Sequence, residues 1–367
     1  LYLGSYTRYK KVFFFASVFF LALIAGLRST SIGTDVNVYL VNMYNGALQS
    51  NNFNDFQKYS WYSVFRYRYV YEYEVGFTSL VYLSSKIFCN LQVLMFIIEL
   101  MILVPFFHGL KNLESRYKIR YYYIFSSICF LLLFYNVTLN LMRQWIAISF
   151  IFLSFSFIEK KNVFATIFYA IIALLFHKSA IIGLIFNFIY ILFNSRIFAL
   201  SLKKYLFVFL VSFFLASSFL LMIFPNLLGY FGLEEYVVYI KNGAQLNINQ
   251  LLQRVPIYLL LFFALFKNKE KMKDSFFIFL VLLADLLISQ FAENNAFVTR
   301  ICYYLMIYYI FIFLEINKAI KNSCNHLSMK LVYFYELLYC FLFWVYFYYY
   351  KNANQTIPYQ LYVDFFK

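Results

Sequence analysis

Charged side chains are scarce in this chain, where they make up 13% of 367 residues, although about a quarter is usual in soluble domains. Apolar residues account for 64%, and they are gathered in runs of about twenty, the length of helix that crosses a bilayer. This composition excludes an ordinary soluble globular protein. It predicts an all-α polytopic integral membrane protein.

Several motifs of soluble chemistry are also missing. The five cysteines show no CxxC spacing, so neither a disulfide framework nor a cysteine metal site is indicated. The sequence has no Gly-rich phosphate loop, no D-x-D pair, no paired histidines at metal spacing and no G-x-S-x-G elbow. We therefore expect no metal and no soluble cofactor, and a nucleotide-driven pump is disfavoured.

The net charge of +15 does not indicate nucleic acid, because the basic residues form no single face or stripe. They lie in small clusters between the apolar runs, and these clusters indicate on which side of the membrane each connecting segment lies. Hydropathy predicts about eleven spanning helices, with a range of ten to twelve. The predicted spans are 12–27, 91–109, 121–139, 141–158, 163–176, 180–194, 205–224, 255–267, 275–291, 297–316 and 331–350.

An N-terminus on the inside puts six short basic segments in the cytoplasm, as the positive-inside rule requires. The regions 28–90 and 225–254 then become outer-face loops. We expect one transmembrane domain over 1–367, a multi-helix bundle with an outer-face cavity.

Polar residues that are costly inside a membrane gather at the outer helix ends in this topology. Such residues are functional candidates by default. The candidates are Arg28, Asp35, Tyr39, Asn140, Arg143, Gln144, His177, Lys178, Arg254 and Arg300.

Arg143 belongs to a polar stripe that enters an apolar helix, with Asn136, Asn140 and Ala147 at helical spacing. The stripe could join helices. A guanidinium within a span needs a counter-anion, however, and no acid is nearby in sequence. A bound phosphate fits the Arg fork well.

His177 lies at a His-Lys-Ser tip between two nearly continuous apolar runs. A lone histidine is usually structural, but burying this tip would be costly, which favours a function. Asp35 follows Gly33, which permits a sharp turn, and could be a base, the ion-pair partner of an Arg, or a helix cap. Asp285 lies inside a helix and is expected to pair with one of the arginines.

Three segments carry a resemblance to a known family: Gly26-Leu-Arg28 with Ile32-Gly33-Thr34-Asp35 and Tyr39; Asn140-Leu-Met-Arg143-Gln144-Trp-Ile-Ala147; and Ala173-Leu-Leu-Phe176-His177-Lys178-Ser179-Ala180. Their order and spacing resemble the EpsG family of bacterial polysaccharide polymerases, related in role to Wzy O-antigen polymerases. The similarity covers roughly 12–195, and beyond that only hydropathy and the Arg300 helix agree.

The resemblance implies a GT-C-like bundle and a glycosyltransferase that joins undecaprenyl-diphosphate-linked oligosaccharide repeat units into O-antigen, capsule or exopolysaccharide. The location it implies is the bacterial cytoplasmic (inner) membrane, with the site facing the periplasm or the exterior. The resemblance also implies membrane lipids, a chain-length regulator and a flippase as partners. In this interpretation Arg143 and Arg300 bind the diphosphate, with Arg28 and Arg254 secondary. His177 is the first choice for the base and Asp35 the second.

Three other functions stay open. A flippase or transporter for lipid-linked sugars would share the cationic cavity, although it would typically show repeat-related halves. An acyltransferase could use His177 as its base, but its histidine would face the cytoplasm or a tunnel. An O-antigen ligase is the nearest enzymatic alternative.

Overall fold

The computed structural model describes most of the chain. The described residues are 10–117, 122–195, 200–223, 247–268, 274–292, 296–321 and 326–362. They form two compact units by contact, Leu1–Ile181 with Cys340–Lys367 and Ile182–Tyr339, and each unit is described by itself.

The chain is built almost entirely of helices. In chain order they are α1 (Lys10–Gly26), α2 (Val41–Gln49), α3 (Phe53–Lys58), α4 (Val75–Phe88), α5 (Leu91–Tyr117), α6 (Tyr122–Phe130), α7 (Met142–Glu159), α8 (Val163–Phe176), α9 (Ala180–Asn194), α10 (Leu200–Ile223), α11 (Ile248–Asn268), α12 (Ser275–Ser289), α13 (Ala296–Met306), α14 (Tyr309–Lys321) and α15 (His326–Trp344). The two strands of the described residues, β1 (Ser60–Ser63) and β2 (Arg66–Tyr69), form an antiparallel hairpin.

Three helices continue or begin with wider, π-type turns. The π turn Val36–Leu40 leads directly into α2, and Leu131–Tyr135 extends α6 toward a last short stretch, Asn136–Thr138. A third π turn, Val345–Tyr350, prolongs α15. Such turns are frequent at functional sites and at local bends of a helix.

Every predicted span contains a helix, which confirms the all-α architecture. Among the described residues, five helical stretches are long and apolar enough to cross a bilayer: Leu91–Ser115, Met142–Glu159, Ile248–Lys267, Val298–Lys321 and Ser328–Tyr350. Shorter apolar helices accompany them. One of these, Val75–Phe88, lies within the predicted outer loop 28–90.

Two regions contain more helix than the sequence indicated. The predicted outer-face region 28–90 contains α2, α3, the hairpin and α4. Helix α11 begins at Ile248 rather than 255, since Pro256 lies inside a helix that started two turns earlier. The rest of the predicted loop 225–254, from 225 to 246, falls outside the described residues.

The first unit is organised around α7, which packs against both α5 and α8. Phe106 of α5 stacks on Phe130 and Phe152, and Trp145 is completely buried beside Phe134. Such dense aromatic packing makes α7 a fixed element. Arg143, in its first turn, is therefore held at a defined position.

The second unit has its own buried centre, helix α14, whose side chains are nearly all buried. Helix α10 packs on α12, and α11 packs on α14. Tyr308, just before α14, donates a hydrogen bond to Asn187 of α9 at 2.7 Å. This bond satisfies both polar groups inside an apolar core.

Candidate functional site

Four separate segments of the first unit meet at one point. Tyr39 comes from the π turn before α2, Glu74 from the residue preceding α4, Arg143 from the start of α7, and His177 with Lys178 from the turn between α8 and α9. We refer to these five residues as the ionic site. It unites four of the predicted residues with one that sequence reasoning missed.

An ion pair forms the centre of the ionic site. Nη1 of Arg143 donates to Oε2 of Glu74 at 2.6 Å, and the two side chains are only 16% and 9% exposed. A charge-assisted bond of this length is among the stronger polar contacts in proteins. The pair lets a guanidinium exist at the end of an apolar helix.

Three aromatic rings lie against the guanidinium. Its carbon lies 4.5 Å from the ring centre of Tyr73, 4.9 Å from Tyr39 and 5.9 Å from Phe77. Desolvated cation–π contacts stabilise Arg strongly and fix the plane of its fork. Tyr39 therefore helps to hold the guanidinium of Arg143 in place.

The other carboxylate oxygen of Glu74 reaches the turn after α8. The backbone N–H of Lys178 donates to Oε1 of Glu74 at 3.0 Å, and Nδ1 of His177 lies 4.0 Å from the same oxygen. Glu74 therefore joins the start of α7 to the His-Lys-Ser turn.

The environment fixes Glu74 as a carboxylate. Burial by itself raises its pKa, but the charge of Arg143 and the N–H of Lys178 hold the pKa below its ordinary value, and protonation of His177 would lower it further. Burial has the opposite outcome for Tyr73, whose pKa is raised despite Arg143 and Arg68. Tyr73 therefore stays a neutral phenol.

The contacts of His177 indicate its tautomer. Nδ1 accepts the backbone N–H of Ser179 at 3.2 Å and lies 2.7 Å from the Ser179 hydroxyl. A neutral imidazole that accepts at Nδ1 carries its proton on Nε2. On protonation, Nδ1 becomes a donor and can turn to Glu74.

Arg143 keeps an unused donor. Its Nε is buried and has no hydrogen-bond partner, although an Arg fork can hold two anionic groups at once. The start of a helix adds positive potential at this end of α7. An oxyanion at Nε would satisfy the orphaned donor, so the arrangement suits a phosphate-bearing ligand without a metal.

The sequence analysis missed Glu74, which supplies the counter-anion that it expected Arg143 to need. The acid lies far away in sequence, within a region predicted as loop. One signal was present: Glu74 directly precedes the apolar run Val75–Phe88, which is now seen as α4.

Gly76 lets α4 approach α8 closely, since a Cβ there would lie 2.6 Å from the carbonyl oxygen of Leu175.

Asn140 has a connecting function in the structure. Its Oδ1 accepts from the backbone N–H of Asp35 at 2.8 Å and from the Thr34 hydroxyl, while its Nδ2 donates to Asn354 at 2.8 Å. Gly33, with φ at +87°, makes the sharp turn that was expected before Asp35. Asp35 is half-buried, begins the π turn, and makes no side-chain cap bond.

Arg28 is 1% exposed, and its guanidinium binds backbone carbonyl groups. It donates to the carbonyl oxygens of Ala25 at 2.7 Å and Leu139 at 3.1 Å. Leu361 of the C-terminal segment forms a β-bridge with it. Arg28 thus connects α1, the break after α6 and the chain end, and it is not presented to the ionic site. Gln144 is likewise buried, at 3% exposure.

The two remaining arginines belong to the second unit. Arg254 makes two bonds to Asp285, 2.6 Å from Nε and 3.1 Å from Nη2, and Tyr309 donates to the same carboxylate. This confirms the expected partner for Asp285. Arg300 is half-buried on α13.

No group of three His, Cys, Asp or Glu side chains that could hold a metal ion occurs among the residues described by the structure. The ionic site offers one guanidinium, one carboxylate, one imidazole and the backbone N–H of Lys178, whose side chain is exposed.

The helices and the ionic site together define an all-α membrane protein with a buried polar centre. A family model described as the EpsG family matches residues 11–361, so the chain belongs to the EpsG family. This membership implies a function of the polysaccharide-polymerase type. No curated protein and no solved structure matches the chain.

Proposed function

We propose that the protein polymerises undecaprenyl-diphosphate-linked oligosaccharide repeat units on the outer face of the bacterial cytoplasmic membrane, and that the ionic site is its reaction centre. Family membership supports polymerisation. The observation that carries the assignment of the site is the Glu74 carboxylate, which joins Arg143 to the His177–Lys178 turn.

The reaction is a glycosyl transfer. A hydroxyl oxygen of the new repeat unit attacks the anomeric carbon of the growing chain, and the bond between that carbon and the diphosphate breaks. Undecaprenyl diphosphate leaves with the bonding electrons. The hydroxyl proton passes to a base of the protein.

Arg143 and Lys178 stabilise the leaving diphosphate in this proposal. Nε of Arg143 is a buried donor without a partner, and an oxyanion would complete its fork. Cations held rigidly before the reaction stabilise developing negative charge without reorganisation. The rings of Tyr39 and Tyr73 supply this rigidity.

Glu74 and His177 form the base. Glu74 is the ionised acceptor, and Nδ1 of His177 lies 4.0 Å from one of its oxygens. A proton taken by the carboxylate can pass to the imidazole, the side chain that most readily exchanges protons near neutral pH. Asp35 is retained as the alternative acceptor, because its backbone is tied to Asn140, three residues before Arg143.

The orientation, the partners and the remaining residues are also proposals. The positive-inside rule places the ionic site outside, where lipid-linked units are assembled. A chain-length regulator and a flippase would act beside the protein. Arg254 and Arg300 would stabilise the second unit or the lipid-linked glycan, whereas Arg28 and Gln144 would support the fold.

A gene deletion tests the proposal. The host lacking the gene would receive the wild type, Arg143→Ala, His177→Ala or Lys111→Ala, the last being an exposed cation remote from the ionic site. We expect the deletion, Arg143→Ala and His177→Ala to give a single capped repeat unit. Wild type and Lys111→Ala should restore the polysaccharide ladder on a gel.

Two outcomes would contradict the proposal. Complete loss of surface glycan on deletion would favour a flippase. A normal ladder in both Arg143→Ala and His177→Ala, with all proteins present in the membrane, would remove the ionic site from the reaction. Purified protein in vesicles with a synthetic undecaprenyl-diphosphate oligosaccharide then measures polymerisation directly.

A further inference from the structure

The hairpin of β1 and β2 has an unusual turn. Its register pairs Ser63 with Arg66 and leaves Val64 and Phe65 as the two turn residues. Both have positive φ, 51° and 62°. Two-residue turns of this kind normally use Asn-Gly, because a β-branched or bulky residue is strained in the left-handed region.

Both turn residues are exposed to solvent. Phe65 is 93% exposed and Val64 is 56% exposed. The two side chains make the turn conformation unfavourable, and they stay largely exposed instead of packing against this unit. Strain that the fold itself does not require is typical of a functional contact.

Behind the tip, aromatic and basic residues follow. Tyr62 and Tyr67 form an exposed cross-strand pair with ring centres 5.4 Å apart. Arg66 flanks the turn and reaches Glu72 at 3.4 Å, whereas Arg68, two residues further along β2, contacts Tyr73 and has a buried Nε. The order from the tip inward is apolar, then Arg and Tyr, over about 7 Å of strand.

The base of the hairpin is fixed to the ionic site. Trp61 is buried, donates its indole N–H to the carbonyl oxygen of Val38 at 2.9 Å, and stacks on Tyr73. Tyr73 in turn covers the guanidinium of Arg143. The tip is therefore held at a defined position relative to Arg143.

We propose that Val64 and Phe65 insert into the lipid bilayer and that Arg66 contacts lipid phosphates. The order of side chains matches the order of a membrane surface, with hydrocarbon, aromatic interface and anionic headgroups. Neither tip side chain has a hydrogen-bonding group, which argues against a glycan as the occupant. The docked hairpin sets the height of Arg143 above the bilayer.

Tryptophan fluorescence in vesicles tests this placement. Phe65→Trp and the control Tyr71→Trp, a 62% exposed position outside the hairpin, are reconstituted in phosphatidylcholine and phosphatidylglycerol with brominated acyl chains. The wild type supplies the background from the natural tryptophans. We expect blue-shifted emission and bromolipid quenching for Phe65→Trp, and acrylamide quenching for Tyr71→Trp.

A turn that suits the backbone provides a second test. Val64→Asn/Phe65→Gly should raise the thermal unfolding temperature, because Asn-Gly accepts both φ values. With Tyr67→Trp as the reporter, the natural turn should show bromolipid quenching and the Asn-Gly turn should lose it.

Equal acrylamide quenching at positions 65 and 71, without bromolipid quenching, would overturn the proposal. So would a response of Phe65→Trp to a soluble repeat-unit oligosaccharide alone, which would indicate glycan contact. Neither measurement needs the polymerase substrate, so failure here leaves the proposed function standing.

Discussion

Oε2 of Glu74 lies 2.6 Å from Nη1 of Arg143, although sixty-nine positions separate the two residues. The bond joins the start of α4 to the start of α7, and the second oxygen of Glu74 accepts the N–H of Lys178. One carboxylate thereby holds three segments together. It also provides the negative charge that balances a buried guanidinium.

A double-mutant cycle separates the structural from the chemical contribution of this pair. Glu74→Leu or Arg143→Met alone should destabilise the protein by about 3–5 kcal/mol, because each leaves one buried charge unpaired. The double variant should recover most of that stability and still make no polymer. Thermal unfolding in detergent measures the first effect, and polymerisation in vesicles measures the second.

Additive destabilisation in that cycle would contradict the ion pair, because contacting residues are expected to show a coupling energy. Polymer made by the double variant would contradict the catalytic assignment.

Arg143→Lys tests whether charge alone is enough. A lysine keeps the positive charge but cannot bond Glu74 and a diphosphate through one planar fork, nor lie flat against the rings of Tyr39 and Tyr73. We expect kcat/KM to fall by about tenfold or more, equivalent to about 1.4 kcal/mol. Wild-type activity in Arg143→Lys would show that a point charge suffices.

Acid should weaken the ionic site in a defined direction. The pKa of Glu74 in the folded protein is below its ordinary value of 4.5, so the ion pair stabilises the protein fully above about 4.5. This contribution is lost as pH falls through the lowered pKa. The unfolding temperature of the wild type should therefore approach that of Glu74→Gln only in acid below 4.5. A difference that stays constant from neutral pH down to strong acid would be inconsistent with a lowered pKa.

Gly76→Ala should separate α4 from α8. The added Cβ would lie 2.6 Å from the carbonyl oxygen and 2.9 Å from the carbonyl carbon of Leu175, so backbone must move. Glu74, two residues earlier, would lose its bond to Lys178. We expect a lower unfolding temperature and severalfold less polymer, with exposed Val75→Ala as the control. Unchanged polymer in Gly76→Ala would mean that the approach of α4 to α8 does not position Glu74.

Asp285→Asn should lower the amount of protein in the membrane rather than the rate of polymerisation per molecule. The Arg254 side chain is 7% exposed and Asp285 is completely buried, so removing the negative charge should cost about 3–5 kcal/mol. We expect less protein in the membrane, with normal polymer per molecule that remains. Normal abundance combined with lost polymer would instead place this pair in the reaction.

The sequence alone was enough to locate a helix in each predicted span, because apolar length and basic flanks are local properties. Arg143 and His177 were identified because an ionisable group in an apolar run is costly wherever the run lies. The π turn at Val36–Leu40 and the start of α11 before Pro256 were not foreseen, since element boundaries depend on neighbours.

Only the tertiary structure decided which hydrogen-bond partner each of these polar residues has. The sequence marked Arg28, Asn140 and Arg143 alike as polar residues near helix ends, yet Arg28 binds backbone carbonyls, Asn140 joins Asp35 to Asn354, and Arg143 meets Glu74. Composition and spacing determined that these groups needed partners. The packing of α4 against α8 brought Glu74 to Arg143, because a hydrogen bond depends on distances of a few ångströms that the order of residues does not contain.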